Sequence, residues 1–199
     1  MNPATVLTAS RLLWAPAFAY LFVASVRSGL RPAWLWPALG FAALIELSDV
    51  FDGPLARMRK EVTDFGRIFD PICDSLSRQT VFLAFLLGGI IPLWMFLVFM
   101  YRDAMMSFLR IMCAVDGSVI AARKSGKMKA VLQAVATFAV IGILLVKAHG
   151  LTPVPDSVWR RHPGFWVMLP VAAFTLFSLF DYVIPNAHVL KRRMMPNAD

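Results

Sequence analysis

The chain has 199 residues, of which 59% are hydrophobic and 16% are charged. Soluble domains are typically about 45–50% apolar and about 25% charged, so this composition indicates a polytopic membrane protein. The net charge of +8 does not indicate a nucleic-acid partner, because no soluble basic module is present, and basic loops beside anionic lipid headgroups account for it.

Six stretches are predicted to cross the membrane in chain order. A transmembrane helix needs about 20 largely apolar residues. Stretches of this kind lie at 11–27, 33–50, 67–88, 90–114, 130–149 and 164–185. Proline or glycine marks several of the connections, among them Pro32, Gly88, Gly89 and Pro92. No gap has room for a soluble domain, so we expect one all-α transmembrane domain over residues 1–199.

The lysine and arginine residues outside these stretches are unevenly distributed. Counted together with those at the ends of the stretches, twelve lie on the side that holds the N-terminus and five lie on the other side. Because basic residues are retained in the cytoplasm, this asymmetry predicts that both termini are cytoplasmic. The connection between the second and third stretches is then cytoplasmic too, at the inner face of a multi-pass cell-membrane protein.

Acidic residues concentrate around that connection. Residues 46–75 hold seven of the twelve acids of the chain. Asp49 and Asp52 are three positions apart, and Asp70 and Asp74 are four apart, so each pair lies on one face of a helix. A short link carrying Gly53 and Gly66 is expected to turn the chain back, so that the two pairs face each other.

Four converging carboxylates at a membrane boundary repel one another unless cations neutralise them. Carboxylate oxygens are hard ligands that select Mg²⁺, Mn²⁺ or Ca²⁺ over zinc, and four acids are what a two-metal site requires. The alternative is that the acids are merely solvated at helix ends. Gly53, Ala56 and Gly66 leave space beside the carboxylates, and the Arg57 guanidinium suits a phosphate. The pattern therefore predicts a pyrophosphate site.

The complete pattern is D-x2-D-G-x2-A-R-x8-G-x3-D-x3-D, and it resembles the signature of the CDP-alcohol phosphatidyltransferases. Its fixed positions are Asp49, Asp52, Gly53, Ala56, Arg57, Gly66, Asp70 and Asp74. The resemblance implies a six-helix membrane enzyme, usually a homodimer, with its active site at the cytoplasmic face.

The resemblance also implies roles for these residues. Asp49, Asp52, Asp70 and Asp74 would hold a pair of Mg²⁺ or Mn²⁺ ions. Asp74 would be the general base that takes a proton from the acceptor alcohol as CMP leaves. The CDP part of CDP-diacylglycerol would be bound by Asp52, Gly53, Ala56, Arg57, Gly66 and Thr8.

Further basic residues in the second half bear on the acceptor. Three patterns are similar to motifs of the phosphatidylglycerophosphate synthases within this family. They are Arg102-Asp103 followed by Arg110, Gly126-Lys127-x-Lys129 followed by Gln133, and TVLTASR at residues 5–11. We therefore expect Arg102, Arg110, Lys127 and Lys129 to bind the phosphate of glycerol 3-phosphate. Inositol phosphate, inositol, serine or choline are the alternative acceptors. The alternative role of Arg102 is an ion pair with Glu46, Asp103 or an acid of the metal site, and the alternative for the lysines is an ordinary basic cytoplasmic loop.

Two other classes of protein place carboxylates near a membrane face. Membrane prenyltransferases bind pyrophosphate through aspartates and Mg²⁺, but their motifs lack the D-G-x2-A-R arrangement. A divalent-cation transporter would carry acids across the membrane depth, whereas these lie near one face. Binding of CDP-diacylglycerol against cation flux in liposomes separates the enzyme from the transporter.

Overall fold

The computed structural model describes residues 3–58, 64–115, 124–151 and 163–194. Within these ranges the side chains at 3–7, 49–58, 64–69, 113–115, 186 and 188–194 lie outside the description. The described residues form six helices, which confirms the all-α prediction. The helices are α1 Pro3–Arg27, α2 Pro32–Met58, α3 Asp64–Leu87, α4 Leu93–Val115, α5 Lys124–Ala148 and α6 Phe165–Met194.

Each helix contains most or all of one predicted membrane stretch. Among the described residues, three segments are long and apolar enough to cross a membrane: Thr8–Arg27, Lys124–Ala148 and Phe165–Pro185. Helix α4 carries Arg102, Asp103 and Arg110 along its length, and charge of this kind lowers the apolar character that marks a span. The protein is thus a membrane protein with at least these three hydrophobic segments.

The connection between α2 and α3 differs from the sequence-based prediction. Gly53 was expected in a link, but α2 continues through it to Met58. Gly66 likewise lies inside α3, which begins at Asp64. One glycine costs a helix only about 1 kcal/mol relative to alanine, and the good helix formers Leu55, Ala56 and Arg57 lie within four residues of Gly53. The expectation that both glycines lie in the link was therefore wrong, and residues 59–63 connect the helices.

Three helices end in the same hydrogen-bonded turn. The amide of Leu30 donates to Ser25 O (2.8 Å), that of Ile90 to Phe85 O (2.8 Å), and that of Leu151 to Val146 O (3.1 Å). A glycine with positive φ precedes each donor, at 83°, 68° and 70° respectively. A residue in the left-handed conformation after a helix allows the last carbonyl oxygens of that helix to accept hydrogen bonds in this way. The turns at Gly88 and Gly89 confirm the predicted break there.

Helix α1 lies against α2 and α3, while α4 and α5 both contact α6. Helix α2 also contacts α5, and α3 contacts α4, so that the two groups share one interior. Aromatic rings fill much of this interior, for example Phe82 and Phe99, whose ring centroids are 4.4 Å apart. Phe18, Phe22 and Phe85 are fully buried beside them.

Two glycines allow helices to approach closely. At Gly164, just before α6, the amide donates to Ile90 O (3.0 Å), and an added Cβ would lie 2.6 Å from Ile90 Cγ2. At Gly126, near the start of α5, an added Cβ would lie 2.6 Å from the buried Tyr182 hydroxyl of α6. Any side chain at either position would require Ile90 or Tyr182 to shift.

The interior is not wholly apolar. Charged side chains on four different helices are buried: Arg11, Arg78, Arg102, Asp103 and Lys129. Ionisable groups inside a helical membrane protein are costly, and they typically face the interior of the bundle and mark functional sites. These residues therefore direct attention to the space between α1, α3, α4 and α5.

Candidate active site

The first half of the predicted motif lies on the last turns of α2. The backbone of residues 49–58 is helical there, and Gly66 occupies the first turn of α3. The side chains of Asp49, Asp52, Ala56 and Arg57 lie outside the described residues. Their predicted roles in metal and CDP binding therefore stay predictions.

Asp70 and Asp74 lie one turn apart on α3, so they share a face of that helix. Asp70 is partly exposed, and 38% of the Asp74 side chain is exposed. Two partly accessible carboxylates one turn apart offer the hard oxygen donors that Mg²⁺ and Mn²⁺ prefer. The described half of the predicted metal site thus fits such an ion.

Two buried arginines contact Asp74. Arg78, one turn further along α3, donates from Nη2 to Asp74 Oδ1 at 2.7 Å. Arg11 of α1 places Nη1 at 3.9 Å from the same oxygen. Only 2% of Arg11 and 7% of Arg78 is exposed, so the carboxylate is held by cations from the protein side. Within the described part of the chain both contacts involve Oδ1, which leaves Oδ2 for a ligand or a proton.

A cavity opens beside Asp74. It includes about 280 Å³ of empty space, part of it continuous with the exterior. Its lining comes from α2, α3 and α5 and consists of Ile45, Glu46, Asp74, Arg78, Val81 and Thr137. Apolar walls with a few convergent polar groups are typical of small-molecule sites. The enclosed part of this space holds only about one water molecule, so the cavity is a narrow opening beside the Asp74 carboxylate.

A second charged cluster centres on Asp103 of α4. Its Oδ1 accepts from Arg102 Nη1 at 3.0 Å and from Lys129 Nζ of α5 at 2.5 Å. Its Oδ2 accepts from Gln79 Nε2 of α3 at 3.0 Å. Arg102 Nε also donates to Ser178 Oγ of α6 at 3.3 Å. One buried carboxylate thus joins four helices and leaves the three charged groups with a net positive charge.

The four predicted acceptor-binding residues fall into two pairs. Arg102 and Lys129 are buried together at Asp103, which confirms the ion pair of Arg102 with Asp103 weighed as an alternative from the sequence. Arg110 and Lys127 have exposed side chains on α4 and α5. Among the described contacts, neither joins the Asp103 cluster.

Neighbouring residues connect the two charged sites. On α3, Arg78 contacts Asp74 while the next residue, Gln79, contacts Asp103. On α5, Lys129 contacts Asp103 while the carbonyl of Ala130 accepts from Arg78 Nη1 at 3.3 Å. The Asp74 carboxylate and the basic cluster on α4 and α5 are therefore parts of one continuous polar network.

Sequence reasoning missed Arg11 and Arg78 as parts of this site. Arg11 ends the TVLTASR stretch and is one of the basic residues counted at the membrane edge, but its burial in α1 was not expected. The signal for Arg78 was its position four residues after Asp74, a spacing that favours an ion pair on a helix. Thr8, predicted to contact the CDP part, is 1% exposed and lies three residues before Arg11. Its role stays a prediction.

Comparison with known proteins decides the family. The model of the CDP-alcohol phosphatidyltransferase family matches residues 1–177. The chain belongs to the CDP-alcohol phosphatidyltransferase family. It is therefore an enzyme of this class, and Asp70 and Asp74 are the third and fourth aspartates of a CDP-alcohol phosphatidyltransferase signature.

Individual members of the CDP-alcohol phosphatidyltransferases resemble the chain over most of its length. A CDP-diacylglycerol–glycerol-3-phosphate 3-phosphatidyltransferase of Treponema pallidum is 32% identical over 151 residues, covering 74% of the chain and 68% of the relative. Its namesake in Bacillus subtilis is 30% identical over 144 residues, covering 72% and 70%. A protein named "Probable phosphatidylglycerophosphate synthase" in Mycobacterium tuberculosis is 29% identical over 183 residues, covering 92% and 80%.

Proposed function

We propose that the protein transfers a phosphatidyl group from CDP-diacylglycerol to sn-glycerol 3-phosphate, giving phosphatidylglycerophosphate and CMP. The observation that carries this proposal is the Asp74 carboxylate, which two buried arginines hold at the wall of a cavity. The complete signature around it and relatives named for this reaction support the donor and the acceptor.

The chemistry follows from the position of Asp74. The acceptor hydroxyl oxygen attacks the phosphorus that carries the diacylglycerol group, and the bond from that phosphorus to the oxygen of CMP breaks. Asp74 Oδ2 accepts the hydroxyl proton, and CMP leaves with the electron pair of the broken bond. Positive charge from Arg57 would compensate the growing charge on the departing phosphate.

Asp49, Asp52, Asp70 and Asp74 are the residues that would hold two Mg²⁺ or Mn²⁺ ions. Members of this family are generally dependent on divalent metals. When bound, the ions would neutralise the pyrophosphate of the donor and the charge on the leaving group. The CDP part would be bound beside them by Asp52, Gly53, Ala56, Arg57, Gly66 and Thr8.

The acceptor assignment rests on positive charge. Arg102 and Lys129 outnumber the single carboxylate of Asp103 that neutralises them. Arg110 and Lys127 add two exposed cations on the same two helices. An acceptor that carries its own phosphate requires such a site, whereas serine or choline does not. Glycerol 3-phosphate therefore fits better than an uncharged or cationic alcohol.

We further propose that the whole chain forms one transmembrane domain that crosses the cell membrane six times with both termini in the cytoplasm. The excess of lysine and arginine on the N-terminal side supports this orientation. The last turns of α2 and the first turns of α3 would then place the active site at the cytoplasmic face, where glycerol 3-phosphate is available. Homodimer formation is the expectation from the family.

The experiment measures CMP release by purified protein in detergent micelles that contain CDP-diacylglycerol and Mg²⁺. Acceptors are added singly: glycerol 3-phosphate, inositol 1-phosphate, inositol, serine, choline and phosphatidylglycerol. Release that requires both the metal and glycerol 3-phosphate is the expected result. CMP release with a different acceptor would replace the proposed acceptor but keep the reaction class. In a separate measurement, uptake of cations by sealed liposomes that contain the protein, without CMP release, would favour the transporter.

A further inference from the structure

The guanidinium of Arg78 donates hydrogen bonds both within α3 and to α5. Its Nη2 donates to Asp74 Oδ1 at 2.7 Å on its own helix. Its Nη1 donates to the carbonyl oxygen of Ala130 at 3.3 Å, 52 positions away on α5. One planar guanidinium therefore connects the carboxylate of α3 to the backbone of a different helix.

Burial makes this arrangement costly unless the contacts compensate for it. Only 7% of Arg78 is exposed, and a buried cation requires a partner with good geometry. The side chain also lines the cavity beside Asp74, together with Thr137 of α5. Arg78 thus lies between the proposed general base, the opening beside it and the helix that carries Lys127 and Lys129.

We propose that Arg78 is a positioning residue that fixes Asp74 in the orientation needed for proton transfer; this inference rests on the proposed phosphatidyl transfer. Engaging Oδ1 restricts rotation of the carboxylate and directs Oδ2 to the substrate. Tethering to Ala130 sets the distance between the carboxylate and α5. A side chain with two nitrogen donors in a fixed plane can do both, whereas the single nitrogen of lysine cannot.

Arg11 does not duplicate this role. Its Nη1 is 3.9 Å from Asp74 Oδ1, beyond the length of a hydrogen bond between nitrogen and oxygen. It supplies charge near the carboxylate but does not fix its direction. The position of the carboxylate therefore depends on Arg78 rather than on the net positive charge around it.

The test compares Arg78→Ala, Arg78→Lys and the control Arg27→Ala with the unaltered protein in the CMP-release assay. Arg27 is an exposed residue at the opposite end of α1 from Arg11. We expect Arg78→Ala to lower kcat by about 100-fold with little change in either KM, as a displaced reacting group does. The kcat of Arg78→Lys should lie between that of Arg78→Ala and that of the unaltered protein. The kcat of Arg27→Ala should equal that of the unaltered protein.

Chemical rescue distinguishes positioning from folding. Millimolar guanidinium should restore part of kcat to Arg78→Ala while leaving its thermal unfolding midpoint and its binding of CDP-diacylglycerol unchanged. If Arg78→Ala does not fold, the same comparison uses Arg78→Lys, whose kcat should still be reduced.

Three results would overturn the inference. The first is an unchanged kcat in a folded Arg78 variant. The second is a higher KM for glycerol 3-phosphate as the sole change, which would make Arg78 a binding group. The third is a lower unfolding midpoint without a change in kcat. Absence of activity in the unaltered protein would instead overturn the proposed function itself.

Discussion

Asp74 serves two purposes that a single substitution can separate. Its carboxylate is a proposed metal ligand and the proposed proton acceptor, and Arg78 holds it through Oδ1. Asp74→Asn keeps the shape and an oxygen donor but removes the charge that accepts a proton. We expect turnover to fall by more than about 100-fold, the lower range for losing a general base. CDP-diacylglycerol binding should be nearly unchanged.

Equilibrium binding of the labelled donor, measured beside CMP release, checks this prediction. Parallel loss of binding and turnover in Asp74→Asn would show that the residue acts only by holding the donor and its metal ions. Thermal unfolding of the same preparation excludes a general loss of structure.

The exposed pair of basic residues tests the acceptor site. Lys127→Ala or Arg110→Ala removes a cation that is not engaged at the Asp103 cluster, so folding should tolerate either change. We expect the KM for glycerol 3-phosphate to rise about 10-fold, because a hydrogen bond to a charged group contributes about 1.5–3 kcal/mol. The KM for CDP-diacylglycerol should stay within experimental error. Equal increases in both KM values would contradict an acceptor site there.

Sequence spacing predicted which carboxylates share a helix face at the proposed site, but not what holds them. Asp70 and Asp74 could be assigned to one helix face because their spacing is local. The contact from Arg78 to Ala130 depends on how α3 packs against α5, and no short-range pattern contains that information. The burial of Arg11 was missed for the same reason, since it results from packing of α1 against α3.

Helices α3, α4, α5 and α6 are joined by the charged cluster at Asp103. Asp103→Asn keeps the size of the side chain but leaves the buried Arg102 and Lys129 without a counter-charge. Removing one partner of a buried ion pair destabilises proteins by about 3–5 kcal/mol, so a clearly lower thermal unfolding midpoint in detergent is expected.

A second substitution provides the control for this result. Adding Lys129→Met to Asp103→Asn removes one of the two uncompensated cations, and it should recover part of the lost stability. An unfolding midpoint for Asp103→Asn equal to that of the unaltered protein would show that the cluster does not hold these helices together.

The turn between α3 and α4 packs against the start of α6 through Gly164. A methyl group there would meet Ile90 Cγ2 at 2.6 Å and the Ile90 carbonyl oxygen at 3.2 Å. Gly164→Ala should therefore destabilise the protein by about 1–3 kcal/mol, the usual cost of overpacking. Gly142→Ala is the matched control, because a methyl group at this helical position meets nothing within 4 Å. Equal unfolding midpoints for the two variants would contradict the close approach.

Element boundaries illustrate where sequence patterns fail. Six helices could be predicted from apolar stretches, because such stretches are long and continuous. The glycines of the signature were read as a link, yet both lie inside helices. A glycine indicates that a small residue is needed at its position. Such a position can lie inside a helix as well as in a turn. The positions of the ends of α2 and α3 could therefore not be deduced from glycine alone.

The packing of the helices explains how a chain of apolar composition holds buried charges. Three described segments are apolar enough to cross a membrane by themselves. Helices α1, α3, α4 and α5 carry the buried charges around Asp74 and Asp103, and contacts among the helices shield these charges. We propose that the nucleotide, its metal ions and a phosphorylated acceptor meet at the helix ends beside this interior, next to the lipid that carries the diacylglycerol chains.

Mass spectrometry of the lipid formed from CDP-diacylglycerol and deuterated glycerol 3-phosphate tests the central claim most directly. With Mg²⁺ or Mn²⁺ present, the unaltered protein should yield deuterated phosphatidylglycerophosphate and CMP in equal amounts, and Asp74→Asn should yield neither. CMP without the deuterated lipid, or an equal yield of that lipid from Asp74→Asn, would contradict transfer to this acceptor by this carboxylate.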